Sequence, residues 1–185
     1  MVLNTGVGGS GYLARAPTSG RDLNQSTGSR TGPRRDNAGL MKTIRLFEGK
    51  ERSLLRRHPW IFAGSIAKGK ADPGETVRVE AADGQFLAWG AFSPSSQIRV
   101  RAWSFDEAER IDADFFRRRV ARAVALRERL AVASDGVRLV HGEADGLPGL
   151  IVDRYADSLC IQFGAAGAER WREAIADALQ TATGL

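Results

Sequence analysis

Between Lys50 and Trp60 the chain interleaves four cations with an imidazole and an indole: Lys50, Arg52, Arg56, Arg57, His58 and Trp60. Lysine and arginine suit phosphate groups, while histidine and tryptophan offer flat faces on which unpaired bases stack. These six residues form the candidate RNA-binding set. Trp60 leads straight into Ile61 and Phe62, which points to an indole that also serves a core. A second cluster, His141, Glu143 and Asp145, holds groups that bind divalent cations or move protons. No further histidine or acid cluster lies near it, and the glycines and Pro148 around it answer to backbone geometry, so neither metal nor catalysis is expected there. Cys160 lies in an apolar run without a neighbour to lower its pKa and reads as a small buried hydrophobe. A face carrying Arg117, Arg118, Arg119, Arg122, Arg127 and Arg129 could touch RNA, but reads better as solvated, with Glu128 in support. There is no glycine-rich strand-to-helix turn and no P-loop, so no cofactor site is expected in this chain, and no catalytic or metal residue is assigned.

These residues need elements to carry them. Leu54 and Leu55 among the cations suggest a short helix with one buried stripe, stopped before Pro59. Thr76–Glu80 alternates as a strand, Asp83-Gly84 marks a hairpin, and Phe86–Phe92 returns. Ile98–Trp103 alternates again after the turn at Ser93–Ser96. Short strands so closely spaced predict a mainly β pseudo-barrel. Asp112 reads as the N-cap of a linker helix reaching about Ala133, ended by Asp135-Gly136. Beyond it the pattern reads strand, loop, strand, strand, then one amphipathic helix from Ala165 to about Ala182. That is a partial α/β (β-β-β-α) domain with a thin core.

The charge is uneven. The net +5 divides into +3 over residues 1–41, +6 over 42–70 and −4 over 71–185. A basic segment attracts polyanions by releasing their counterions. Residues 1–40 hold eight of the 21 glycines without hydrophobic periodicity, so 1–41 is expected to be a disordered leader or a start assigned too early, with Met41 as the first residue. One cysteine excludes an intrachain disulfide and fits a reducing cytoplasm. No run approaches the length of a membrane span, and no secretory signal is evident.

Three motifs then stand in order: Ser53-Leu54-Leu55-Arg56-Arg57-His58-Pro59-Trp60-Ile61-Phe62-Ala63-Gly64, Gly90-Ala91-Phe92-Ser93-Pro94-Ser95-Ser96-Gln97-Ile98-Arg99, and Gly142 through Arg154. Together they closely resemble the large-subunit 23S ribosomal RNA cytosine-5 methyltransferase family, over about residues 43–183. The resemblance implies a PUA-like RNA-binding domain at 42–107 and the start of a central α/β domain at 112–185. It implies ribosomal RNA as partner, with no membrane and no DNA, and leaves a homodimer open. In that family a further Rossmann-like domain binds S-adenosylmethionine and carries the nucleophilic cysteine. Neither has a counterpart here, and Cys160 matches no catalytic motif. The expectation is therefore an rRNA-docking part without the chemistry; a free-standing RNA-binding adaptor and an inactive truncated product are the rivals.

Overall fold

The computed structural model describes residues 41–131 and 133–185, together with the backbone of Val2–Asn4 (β1) and Tyr12–Leu13 (β2). The remainder of the proposed leader lies outside the described residues.

The first unit is a six-stranded curled sheet. Its strands are Thr43–Leu46 (β3), Trp60–Phe62 (β4), Ile66–Lys68 (β5), Thr76–Glu80 (β6), Phe86–Phe92 (β7) and Ile98–Ser104 (β8), with the one-turn helix Arg52–Leu55 (α1) between β3 and β4. The order across the sheet is β4-β8-β7-β6-β3-β5. The two outermost strands, β4 and β5, are joined by Ala63–Ser65 alone. Three residues span at most about 11 Å, so the sheet must curl until its edges nearly meet. This is the pseudo-barrel expected from the strand spacing. Alternation is plain in β6, where Val77 and Val79 are fully buried and Thr76, Arg78 and Glu80 are not.

The second unit comprises Ala113–Leu130 (α2), Gly136–His141 (β9), Leu150–Tyr155 (β10), Ser158–Phe163 (β11), Ala166–Arg170 (α3) and Arg172–Thr183 (α4). β9, β10 and β11 form an antiparallel meander, and β1 adds parallel to the free edge of β11. These β1 and β2 strands arise where none was expected; an open strand edge recruits backbone irrespective of side-chain pattern.

Several expectations need correction. Helix α2 starts as read, with the Asp112 side chain accepting from Phe115 N at 3.0 Å, but it ends at Ala131, in the left-handed conformation, before Asp135-Gly136. It is also more than a linker: Phe115, Phe116, Val120 and Ala123 are buried in the second core. The single C-terminal helix is two, broken at Trp171. The core is not thin, because it recruits Ala91 and Trp103 from the curled sheet. Trp103 meets Phe116 edge-on at 5.2 Å, and Phe116 lies 4.9 Å from Trp171. Each such aromatic contact adds about 0.5–1.5 kcal/mol beyond area burial. Gly167 permits this approach, since a Cβ there would stand 2.3 Å from that of Ala91. Cys160 is half-buried rather than buried, because it shares a strand face with exposed Ser158 and Gln162 while Leu159 and Ile161 face the core. Among the described residues no helix is long and apolar enough to cross a membrane.

Candidate nucleic-acid interface

Helix α1 is held by one residue. Leu54 is buried, while Leu55 points to solvent, so the apolar stripe is half as wide as its sequence suggests. The helix ends in a Schellman arrangement: His58 N donates to Ser53 O at 3.0 Å and Arg57 N donates to Leu54 O at 2.8 Å. The residue at the left-handed position of such a cap is usually glycine. Here it is Arg57, with φ of 64°. An L-residue in that region costs roughly 1–2 kcal/mol. His58 Nδ1 then accepts from Trp60 N at 3.2 Å, and the two rings meet edge-on at 5.6 Å. This local network fixes the path of the chain into β4.

The six candidate residues do not share one surface. Lys50, His58 and Trp60 line an outer groove of about 260 Å³, with exposed Phe62 beside them. Arg57 instead lines a larger cleft, about 600 Å³, between the curled sheet and the loop after β9. Arg52 and Arg56 are exposed and line neither cavity. Trp60 is half-buried.

Charge pairing separates the two arginine-rich segments. Of the eight cations in 42–70, Lys42 and Arg45 are paired with carboxylates. Lys50, Arg52, Arg56, Arg57, Lys68 and Lys70 are exposed, and none forms a salt bridge among the described residues. On α2 the balance differs. Arg117 pairs with Asp114, Arg118 and Arg119 with Glu109, and Arg127 with Asp145. Most of that helix face is neutralised within the protein, by Asp114, Glu109 and Asp145 rather than Glu128, and Arg119 and Arg127 are part-buried rather than solvated.

The acids after β9 have structural partners. Asp145 receives both Arg127 Nη1 at 2.5 Å and Nη2 at 2.8 Å, and also His141 N at 2.6 Å. Among the described residues no group of acids, histidines and cysteines could hold a metal ion. Glu143 reaches the first unit: its Oε1 accepts from Trp60 Nε1 at 2.7 Å and lies 3.9 Å from Arg101 Nε. Burial lowers the Arg101 pKa from its ordinary value, with the Glu143 charge opposing. The glycine turn of 142–149 joins two antiparallel strands, not a strand to a helix, so it does not fit a nucleotide cofactor.

Sequence reasoning missed Glu143 as a partner of Trp60, and it missed Phe62, Phe105 and Arg101. No local signal marks a bond between positions so far apart. The cluster of His141, Glu143 and Asp145 singled out that loop, but for cation or proton chemistry rather than for a bond to Trp60.

Residues 44–105 match the family model described as PUA-like domain. The chain is homologous to proteins named Ribosomal RNA large subunit methyltransferase I. With that of Erwinia tasmaniensis it shares 51% identity over 144 residues, covering 75% of this chain and 36% of the relative. With that of Shewanella denitrificans it shares 52% over 141 residues, covering 74% and 36%. This chain therefore spans about a third of the length of the curated relatives it matches. Among solved structures, a chain from Streptococcus mutans assigned as a SAM-dependent methyltransferase superposes with a TM-score of 0.66 at 16% identity, covering 76% of this chain and 38% of that one. A methyltransferase-assigned chain in complex with SAH gives 0.69 at 15%, covering 78% and 38%. At such identities the likeness speaks for the fold.

Proposed function

We propose that this chain is the RNA-docking portion of a ribosomal RNA large-subunit methyltransferase. Residues 42–107 grip ribosomal RNA in the cytoplasm, and residues 112–185 begin the central domain that orients it. The observation that carries this reading is the unneutralised charge on the PUA-like unit. Lys50, Arg52, Arg56 and Arg57 stay exposed without carboxylate partners among the described residues; Lys50 lines the outer groove with His58 and Trp60, and Arg57 lines the larger cleft. The cations bind phosphates, and the two rings face an unpaired base.

Within this reading the modified base is cytosine, methylated at C5 with S-adenosylmethionine as donor. Nothing among the described residues suits either the donor or a thiolate nucleophile: the 142–149 turn lacks its helix, and Cys160 sits mid-strand on β11. Those functions belong to the part of the relatives that this chain does not cover.

The test is filter binding of the full chain to transcribed large-subunit rRNA across about 50–200 mM salt. Affinity should fall steeply with salt. Replacing Lys50, Arg52 and Arg56 by alanine should lower the slope of log affinity against log salt by about 0.7–0.9 for each phosphate that is no longer neutralised. Absence of binding at low salt, or an unchanged slope in the triple variant, would overturn the proposal.

A further inference from the structure

The β9–β10–β11 meander has two outer strands, and the protein treats them differently. On β9 side chains seal the edge: Arg127 Nε donates to Arg138 O at 3.1 Å, and His141 N donates to Asp145 Oδ2 at 2.6 Å. Arg127 and Asp145 also pair with each other, so one ion pair caps both backbone groups. On β11 no side chain among the described residues bonds to the strand's backbone. The sequence Ser158-Leu159-Cys160-Ile161-Gln162-Phe163 also carries neither charge nor proline, the devices that keep an edge strand from pairing.

The backbone of β11 needs a partner on that side. Gly164 N donates to Gly149 O at 2.7 Å, which continues the β10–β11 ladder. By strand alternation Cys160 and Gln162 also turn their N–H and C=O groups to β10, while Ile161 and Phe163 turn theirs outward. Ile161 is fully buried and Phe163 is 5% exposed. A buried backbone group left unpaired costs about as much as a lost hydrogen bond. β1 meets the need in parallel, with Val2 opposite Cys160, Leu3 opposite Ile161 and Asn4 opposite Gln162. That register sends Ile161 N–H to Val2 O and Phe163 N–H to Asn4 O, and brings Asn4 N–H to Ile161 O. β1 is covered in turn by β2, a strand of only two residues, which leaves little edge to grow from.

We propose that the β11 edge is a strand-accepting surface and that the chain's own Val2–Asn4 is its occupant, a strap that keeps the edge from pairing with a second copy. Recognition runs through the backbone, so the strap needs an extended path and free N–H groups rather than a particular side-chain pattern. The strap makes no use of the cations of the PUA-like unit, and it stands whether or not the chain binds RNA.

The experiment is amide hydrogen exchange of the full chain, read residue by residue by NMR. Ile161 and Phe163 should be protected, and equally so at every protein concentration. Asn4→Pro removes the N–H that meets Ile161 O. Both amides should then exchange faster by on the order of tenfold, the yield of about one hydrogen bond, while Cys160 and Gln162, bonded to β10, stay protected. The opened variant should also self-associate as its concentration rises in sedimentation. Asn4→Ala keeps the N–H and should match the unaltered chain in both measurements. Fast exchange at Ile161 and Phe163 in the unaltered chain, or protection there that survives Asn4→Pro, would overturn the strap. Protection that fades on dilution would make a second copy the occupant, against the proposal. An Asn4→Pro variant that stays monomeric with its edge exchanging freely would also overturn it.

Discussion

Trp60 donates its indole N–H to Glu143 Oε1 at 2.7 Å, across 83 positions of sequence and across the boundary between the two units. Arg101, only 15% exposed, stands at 3.9 Å from the same oxygen. The half-buried indole is thus held in place by a carboxylate from the next unit. Trp60 lines the outer groove and Glu143 the larger cleft, so this one bond links the linings of the two.

The bond should be measurable as a coupling. Trp60→Phe removes the donor and should cost about 1–3 kcal/mol in urea unfolding, because a part-buried carboxylate loses its partner. Paired with Glu143→Ala, the cycle should give an interaction energy of about 0.5–3 kcal/mol. Strictly additive losses would mean that the two residues do not support each other in solution.

Arg57→Gly should separate stability from binding. Glycine relieves the left-handed strain at the Schellman position but loses more chain entropy on folding, so stability should stay level or rise by no more than about 1 kcal/mol. RNA affinity should fall because a free cation is gone. Clear destabilisation, read from the urea midpoint, would show that the guanidinium contact with Phe105 outweighs the strain.

Arg127 and Asp145 set a contrast within the arginine face. Asp145 is 6% exposed and Arg127 15%, and the pair ties α2 to the turn after β9. Arg127→Ala strands a buried carboxylate and should cost about 3–5 kcal/mol. Arg122→Ala on the same helix, exposed and without a salt bridge among the described residues, should change stability by less than about 0.5 kcal/mol. Equal effects of the two substitutions on the denaturation midpoint would refute this reading of the face.

Acid should weaken the curled sheet through Glu80. The hydrogen bond from Arg45, followed by that from Arg78, holds the Glu80 carboxyl below its ordinary value, against opposing desolvation. The folded state therefore binds this proton less tightly than the unfolded chain. The stabilisation is complete above the ordinary glutamate value of about 4.3 and is lost as pH falls through the lower folded value. Glu80→Gln should remove that part of the acid decline in the unfolding midpoint while leaving the rest. Identical acid limbs for both proteins would exclude Glu80 as a contributor.

The strands of the curled sheet were legible because period-two burial and turn chemistry are local. Val77 and Val79 declare a buried face by themselves, and Asp83-Gly84 declares its turn. The boundaries that went wrong depend on distant contacts. Helix α2 ends at Ala131 without a glycine, and the break at Trp171 accompanies packing of that indole on Phe116. The candidate site divides in the same way. Its residue types were visible, since cations next to aromatics need no tertiary knowledge. Their separation into an outer groove and a cleft was not, because the cleft is closed by residues as distant as Arg119 and Glu143.

The basic front segment, the curled β unit and the α/β segment after it were all written in the order of residues. Each follows from near neighbours, where periodicity, charge and turn preference act over a few positions. Folding alone settled which cations remain unpaired, that Trp103 and Ala91 belong to the second core, and that Glu143 holds Trp60. Those facts depend on which distant groups meet, and desolvation and hydrogen-bond geometry have no value until the chain has folded to bring them together.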